Sequence, residues 1–228
     1  MSGVRRLASL LAVITILAAC ATHPDGAYYP QPKDPRTVTL SHTLYRAAQA
    51  AGDDPERYSF ALIQTDAVTA FAADDATFYF SEGLARRPQA DIDALVAQKV
   101  AHEVLGHAGA RRTLSLSVTA GFVVLGVVLP GLGLLDMLVN PLVVRAFSRE
   151  QEIAADSRGV EILRAMGHEA PRRTLAAALR AAAAVNGPVD NGLLATAPPL
   201  DDRLAKLEPL ESLAEVAARA RAAAPDSR

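Results

Sequence analysis

Residues 113–135 run for 23 positions without a charge. A run of about 18 or more apolar residues is enough to cross a bilayer as a helix. Pro130, Gly131 and Gly133 interrupt it, and residues 134–144 extend it with Asp136 as the sole charge. Two full passes need roughly 40 residues, and only about 33 are available between positions 113 and 145. The choice is therefore between one pass, which parts its flanks to opposite sides of a membrane, and a short helical hairpin. The hairpin would be buried in the fold or dip into a membrane surface. Helical patterning on both flanks makes that choice decisive. Residues 90–112 carry Ile92, Leu95, Val96, Val100 and Val104 at helical spacing, and a second helix is expected from about 145 to 166, ended by Gly167.

The first flank holds His102-Glu103 and His107; the second holds Glu152 and Asp156. Neutral imidazole and carboxylate are good Zn²⁺ ligands, and a carboxylate beside the metal can take a proton from its bound water. The usual helical form spaces the histidines four apart. Here they are five apart. On a regular α-helix that puts them about 140° apart, too far round to share one ion, and a single π-type turn beside Gly106 would bring them back together. Without such a turn Glu103 and His107 share a face and His102 points away. Glu152 and Asp156 lie about 40° apart on one face of their helix, so one can bind metal while the other orients a ligand imidazole. Arg149, one turn earlier, can neutralise part of that acidic face. If one ion joins the two helices, a single membrane pass between them is impossible, and the hairpin is the expected form.

Half of the 228 residues are hydrophobic, tryptophan is absent, and the formal charge is -2. That composition supports one mainly helical domain and gives no electrostatic argument for nucleic acid. The single cysteine excludes an intramolecular disulfide. Its setting is informative. Arg5 and Arg6 precede an apolar stretch over residues 7–17, and Leu17-Ala18-Ala19-Cys20 follows. Residues 1–19 thus read as a secretory signal, and the last four resemble the bacterial lipobox, with Cys20 the lipidated residue. An ordinary signal with an incidental cysteine is the alternative. Lipid on Cys20 would anchor the chain on the periplasmic side of the cell envelope, and Ala21, which is not aspartate, favours the outer membrane.

Residues 20–36 contain four prolines and read as a tether. A helix is expected over 39–51, stopped by Gly52-Asp53-Asp54-Pro55, followed by strands over 58–65 and 77–81 that pair antiparallel, with Gly83 closing the unit. Further helices are expected over 171–185, from 201, and over 213–224. The domain spans residues 37–212, and residues 213–228 form a terminal helix and tail. His23, His42 and His168 read as surface or helix-end residues rather than ligands.

Ala101-His102-Glu103 with Gly106-His107, followed by Ser148-Arg149, Glu152 and Ala155-Asp156, resembles peptidase family M48. That family holds the CAAX prenyl endopeptidases, the heat-shock protease HtpX and periplasmic lipoprotein relatives. Residues 68–72 and 81–84 resemble its strand region, and residues 196–203 resemble its late His-Pro segment with a closing arginine. The resemblance implies an α+β, mainly helical zincin-like fold with a small antiparallel sheet before the metal helix. It implies one Zn²⁺ per chain on His102, His107 and Glu152, Glu103 as the proton carrier, and Asp156 and Arg203 as supporting residues. It also implies that the strand over 78–81 holds an extended peptide by β-addition. The chain departs from the pattern in the extra residue before His107, in Thr69 where asparagine is common, and in Ala197 where many members have histidine. The expected function is a zinc metalloendopeptidase acting on cell-envelope proteins. The alternative is a catalytically impaired relative that binds envelope proteins and assists their assembly.

Overall fold

The computed structural model describes residues 26–72, 76–107, 136–187 and 198–223. The uncharged run over 113–135, Cys20 and Ala197 lie outside the described residues. Among the described residues no helix is long and apolar enough to cross a membrane.

The first helix owes its bounds to capping. Asp34 accepts the Arg36 N–H at 2.8 Å, and Pro35 presets the helical backbone at the first position. Helix α1 (Pro35–Ala51) then runs until Gly52, at φ 77°, turns the chain left-handed. A 3₁₀ turn at Pro55–Arg57 leads into the sheet.

The sheet has four strands: β1 (Ala27–Tyr28), β2 (Ser59–Ile63), β3 (Ala70–Ala72) and β4 (Thr77–Ser81), in the spatial order β1-β2-β4-β3. It is mixed, not antiparallel. The two strands expected to pair antiparallel, β2 and β4, run parallel, with Phe60 opposite Phe78 and Leu62 opposite Phe80. The cause is β3. The chain crosses from β2 to the far edge, forms β3, and returns as its antiparallel partner, with Ala70 opposite Phe80. That return gives β4 the direction of β2. Residues 27 and 28, expected in the tether, pair with β2 as β1.

Strand β4 is the centre of the sheet. Phe78 and Phe80 are fully buried on one face, and Tyr79 is buried on the other, where its ring stacks on Phe71 at 5.0 Å. Burial of such a ring is worth about 1.5–3 kcal/mol. Ser81 caps helix α2 (Glu82–Ala85) by accepting the Leu84 N–H at 3.0 Å. Gly83 is required at that turn, because a Cβ there would run into the carbonyl oxygens of Asp66 and Ala67.

Helix α3 (Gln89–Val104) is packed between α1, β3 and two later helices, α4 (Asp136–Ala165) and α5 (Pro171–Asn186). Val96, Val100 and Ala101 carry it into the core beside Ile162 and Leu163 of α4 and Leu175 of α5. Helix α4 begins well before the expected position near 145. Gly159 lets α4 approach α3 closely, since a Cβ there would sit 3.3 Å from Gln98 Cα. The buried Glu211 carboxylate accepts the N–H groups of Arg172 and Arg173 at 3.0 Å each, closing the start of α5. Helices α6 (Leu200–Leu207) and α7 (Leu213–Ala223) complete the described residues, and α6 lies against α4 and α5.

Candidate metal centre

The sequence places His102 on the last turn of α3 and Glu152 near the middle of α4. The packing of these two helices brings them together. His102 Nε2 lies 3.2 Å from Glu152 Oε1. His102 is 5 % exposed. Burial pushes its pKa down to about 4, and Lys99 and His107 act in the same direction while Glu152 opposes them. The ring is therefore neutral at physiological pH and keeps a lone pair for a ligand. Burial works against ionisation of Glu152. The positive charge of Lys99, the His102 contact and Arg203 outweigh it and hold the carboxyl well below its ordinary range.

No π-type turn joins the two histidines. The Leu105 N–H bonds to Ala101 O at 3.1 Å, the ordinary helical pattern, and the Gly106 N–H bonds to Glu103 O at 2.8 Å, a tighter one. The helix stops at Val104, and Gly106 takes φ 67°. Glycine accepts that left-handed backbone without a Cβ clash, so the extra residue is absorbed by ending the helix rather than by widening it. His107 then folds back beside His102. The two Nδ1 atoms are 3.2 Å apart and the rings meet nearly edge to face, with centroids 5.2 Å apart. His107 thus approaches the Nδ1 edge of His102, whereas Glu152 approaches the Nε2 edge. Gln151 of α4 fixes the turn by donating to the His107 carbonyl at 3.2 Å.

Asp156 does not orient an imidazole. Arg203 of α6 donates to both its oxygens, Nε to Oδ2 at 2.8 Å and an outer nitrogen to Oδ1 at 2.5 Å. The same outer nitrogen is 3.5 Å from Glu152 Oε2. Burial raises the Asp156 carboxyl and Arg203 pulls it back, and the forked geometry is that of an ion pair. The neutralising arginine of this acidic face is therefore Arg203, while Arg149 is exposed. Glu103 is half-buried on the last turn of α3. Burial and the Asp53 hydrogen bond raise the Tyr58 phenol, and the charge of Glu103 adds to that rise.

A cavity of about 600 Å³ adjoins this cluster. Thr69 and Ala70 form one wall, Leu95, Gln98 and Lys99 a second, and Leu179, Leu200 and Arg203 a third. Strand β4 has partners on both sides and offers no free edge for a peptide. Among the described strands, the free edge on that side belongs to β3, whose Ala70 faces the cavity. That corrects the strand expected to receive an added chain. A second buried polar group went unmarked by motif. Asp93 is held by Thr43 at 3.2 Å and by His168 at 3.0 Å, which makes His168 a buried-carboxylate partner. Gln98 also went unmarked, although a polar residue four before His102 on an apolar stripe was visible as a signal.

The donor chemistry suits zinc: a neutral imidazole and an ionised carboxylate already meet, with a second imidazole alongside. Among the described residues, however, no three histidine, cysteine or acidic side chains gather round one point. A mainly helical α+β domain with a small mixed sheet and this imidazole–carboxylate pair between two helices defines a zincin-like peptidase domain. The model of peptidase family M48 matches residues 35–211, and the chain belongs to that family. No curated protein matches the chain.

Proposed function

We propose that this chain is a zinc-dependent endopeptidase that cuts proteins of the bacterial cell envelope, tethered by lipid at Cys20 on the periplasmic face. The observation that carries the reading is the 3.2 Å meeting of His102 Nε2 and Glu152 Oε1, from helices 50 residues apart, within a chain of a peptidase family. His102 and Glu152 would hold the ion. The reading of His107 as a further ligand rests on the family pattern. When bound, zinc supplies a Lewis acid and an activated water at neutral pH.

The chain's own residues supply the rest. Burial keeps His102 neutral, and Arg203 braces Glu152 and Asp156 so that the carboxylate stays in place. Glu103 takes the proton of the attacking water on its carboxylate and passes it to the leaving amine. An extended substrate lies along the β3 edge and places an apolar side chain in the adjoining cavity.

The test is metal analysis and casein cleavage by the purified mature protein, with Glu103→Gln as control. One zinc per chain, and cleavage lost by at least about 100-fold in Glu103→Gln, is the expected result. Absence of bound zinc after metal-replete purification would refute it and leave a binding protein on the same scaffold. Cys20→Ala should move the protein from the membrane fraction to the soluble periplasm.

A further inference from the structure

Asn186 is the last residue of α5, and its side chain pairs with the backbone of one distant residue. Its Oδ1 accepts the Val68 N–H at 2.7 Å, and its Nδ2 donates to the Val68 carbonyl at 2.9 Å. The backbone supplies one fixed donor and one fixed acceptor, so this pairing allows the amide a single orientation. The amide therefore stands beside Val68 as the peptide group of a neighbouring strand would.

The place of Val68 on the sheet edge gives that pairing a consequence. Along an antiparallel ladder, residues whose N–H and C=O face the partner alternate with residues whose groups face away. Thr69 faces β4: its carbonyl accepts the Ser81 N–H at 3.1 Å, and its own N–H bonds to Ser81 Oγ at 3.0 Å. Val68, Ala70 and Ala72 therefore direct their N–H and C=O to the outer edge. Among the described residues, Asn186 takes those of Val68, while those of Ala70 and Ala72 meet no partner. Ala70 is only 8 % exposed, and backbone groups sheltered to that degree call for one. The edge is closed at Val68 and open over the next two outward residues.

Side-chain direction then fixes what enters the cavity. Ala70 lies opposite Phe80 and shares its face of the sheet. A peptide residue paired beside Ala70 turns its side chain to that same face. There it meets the cavity that Ala70, Leu95, Leu179 and Leu200 line. Those walls are apolar, and Ala182 and Ala183 of α5 are small, which leaves room for a bulky side chain.

We propose that Asn186 is a positioning residue that sets the register of the substrate. By closing the edge at Val68 it confines main-chain pairing to Ala70 and Ala72. The substrate residue beside Ala70, a bulky apolar one, then seats in the cavity. The proposal rests on the peptidase reading above and adds to it the residue that decides which bond is presented.

The test is a map of casein cleavage sites by mass spectrometry, with kcat and KM measured on a synthetic peptide of the preferred site. The parent is compared with Asn186→Ala and Ala70→Pro, each checked for fold by circular dichroism. Proline is tolerated on an edge strand where the N–H it lacks would face outward. The parent should cut with a bulky apolar residue at one fixed distance from the scissile bond. Asn186→Ala opens Val68, so it should add cuts displaced by two residues, the strand period. Its Val68 amide should exchange hydrogen at least about tenfold faster by NMR. Ala70→Pro should raise KM at least about fivefold with a smaller change in kcat. If Ala70→Pro does not fold, Asn186→Ala alone decides. An unchanged cleavage map in Asn186→Ala, or a parent-like KM in Ala70→Pro, overturns the register role and leaves the peptidase reading standing. A Val68 amide that exchanges equally fast in parent and Asn186→Ala overturns the closure itself. A parent that cuts no casein refutes the peptidase reading and this proposal together.

Discussion

Replacing Arg203 with methionine should expose how much of this fold depends on one ion pair. Asp156 is 1 % exposed, and Arg203 holds both its oxygens at 2.8 and 2.5 Å. Removing only the cation leaves a buried carboxylate without its partner, a change that costs about 3–5 kcal/mol. In a domain of this size each kcal/mol lowers Tm by about 2–4 °C, so Arg203→Met should melt about 6–20 °C below the parent. The loss should depend on pH. Burial already raises the Asp156 carboxyl, and without Arg203 only the weaker pull of Lys99 opposes that rise. The folded variant then takes up a proton that the unfolded chain does not hold, so its deficit is largest at neutral pH and shrinks as pH falls. Asp156→Asn combined with Arg203→Met should recover most of the stability, because position 156 then carries no charge and Glu152, which also loses Arg203, keeps Lys99, His102 and Gln98. Urea unfolding of the metal-free single and double variants between about pH 4 and 7.5 measures all of this. A single variant within about 1 kcal/mol of the parent at pH 7, or a double variant less stable than the single, would refute the reasoning.

In the metal-free protein His102 should titrate near pH 4 by NMR. Its folded pKa lies below the unfolded value, so stability is full above about pH 6.5 and falls as pH drops toward 4, by about 3 kcal/mol in all; a parent whose stability is flat across that window contradicts it. Gly83→Ala should cost more than about 2 kcal/mol or prevent accumulation of folded protein, because its Cβ meets two backbone carbonyls. Gly106→Ala should cost only about 1 kcal/mol, since its φ is 67° with open space around it; if the π-type turn formed instead, this substitution would be nearly neutral in chemical unfolding.

Helices α1, α3 and α5 were legible because their signals are local: apolar residues at helical spacing, Gly52 or Asn186-Gly187 at their ends, and Pro171 at the start of α5, whereas α1 begins at Pro35, four residues before the expected start and inside the expected tether. The shared face of Glu152 and Asp156 was equally legible, since helical geometry alone sets the angle between them. The sheet was not. Strand β3 has three residues, Ala-Phe-Ala, too few to carry a period, and its insertion beyond β4 is what makes β2 and β4 parallel.

The sequence by itself determined which imidazoles and carboxylates share a helix face, because they stand at intervals that a helix converts into faces. It also determined that His102 and Glu152 belong to different helices whose partnership needs them on one side of any membrane. Only the tertiary structure decided what each side chain meets. Gly106 had two ways to absorb the extra residue, and docking of Gln151 onto the His107 carbonyl accompanies the left-handed one. Arg203, not an imidazole, took Asp156 because α6 packs across α4. Gln98 reached the cluster because Gly159 lets α3 and α4 approach within contact of its backbone. Spacing along one helix is a local property of the chain; the partner across an interface depends on how separate helices dock, and no single segment contains that information.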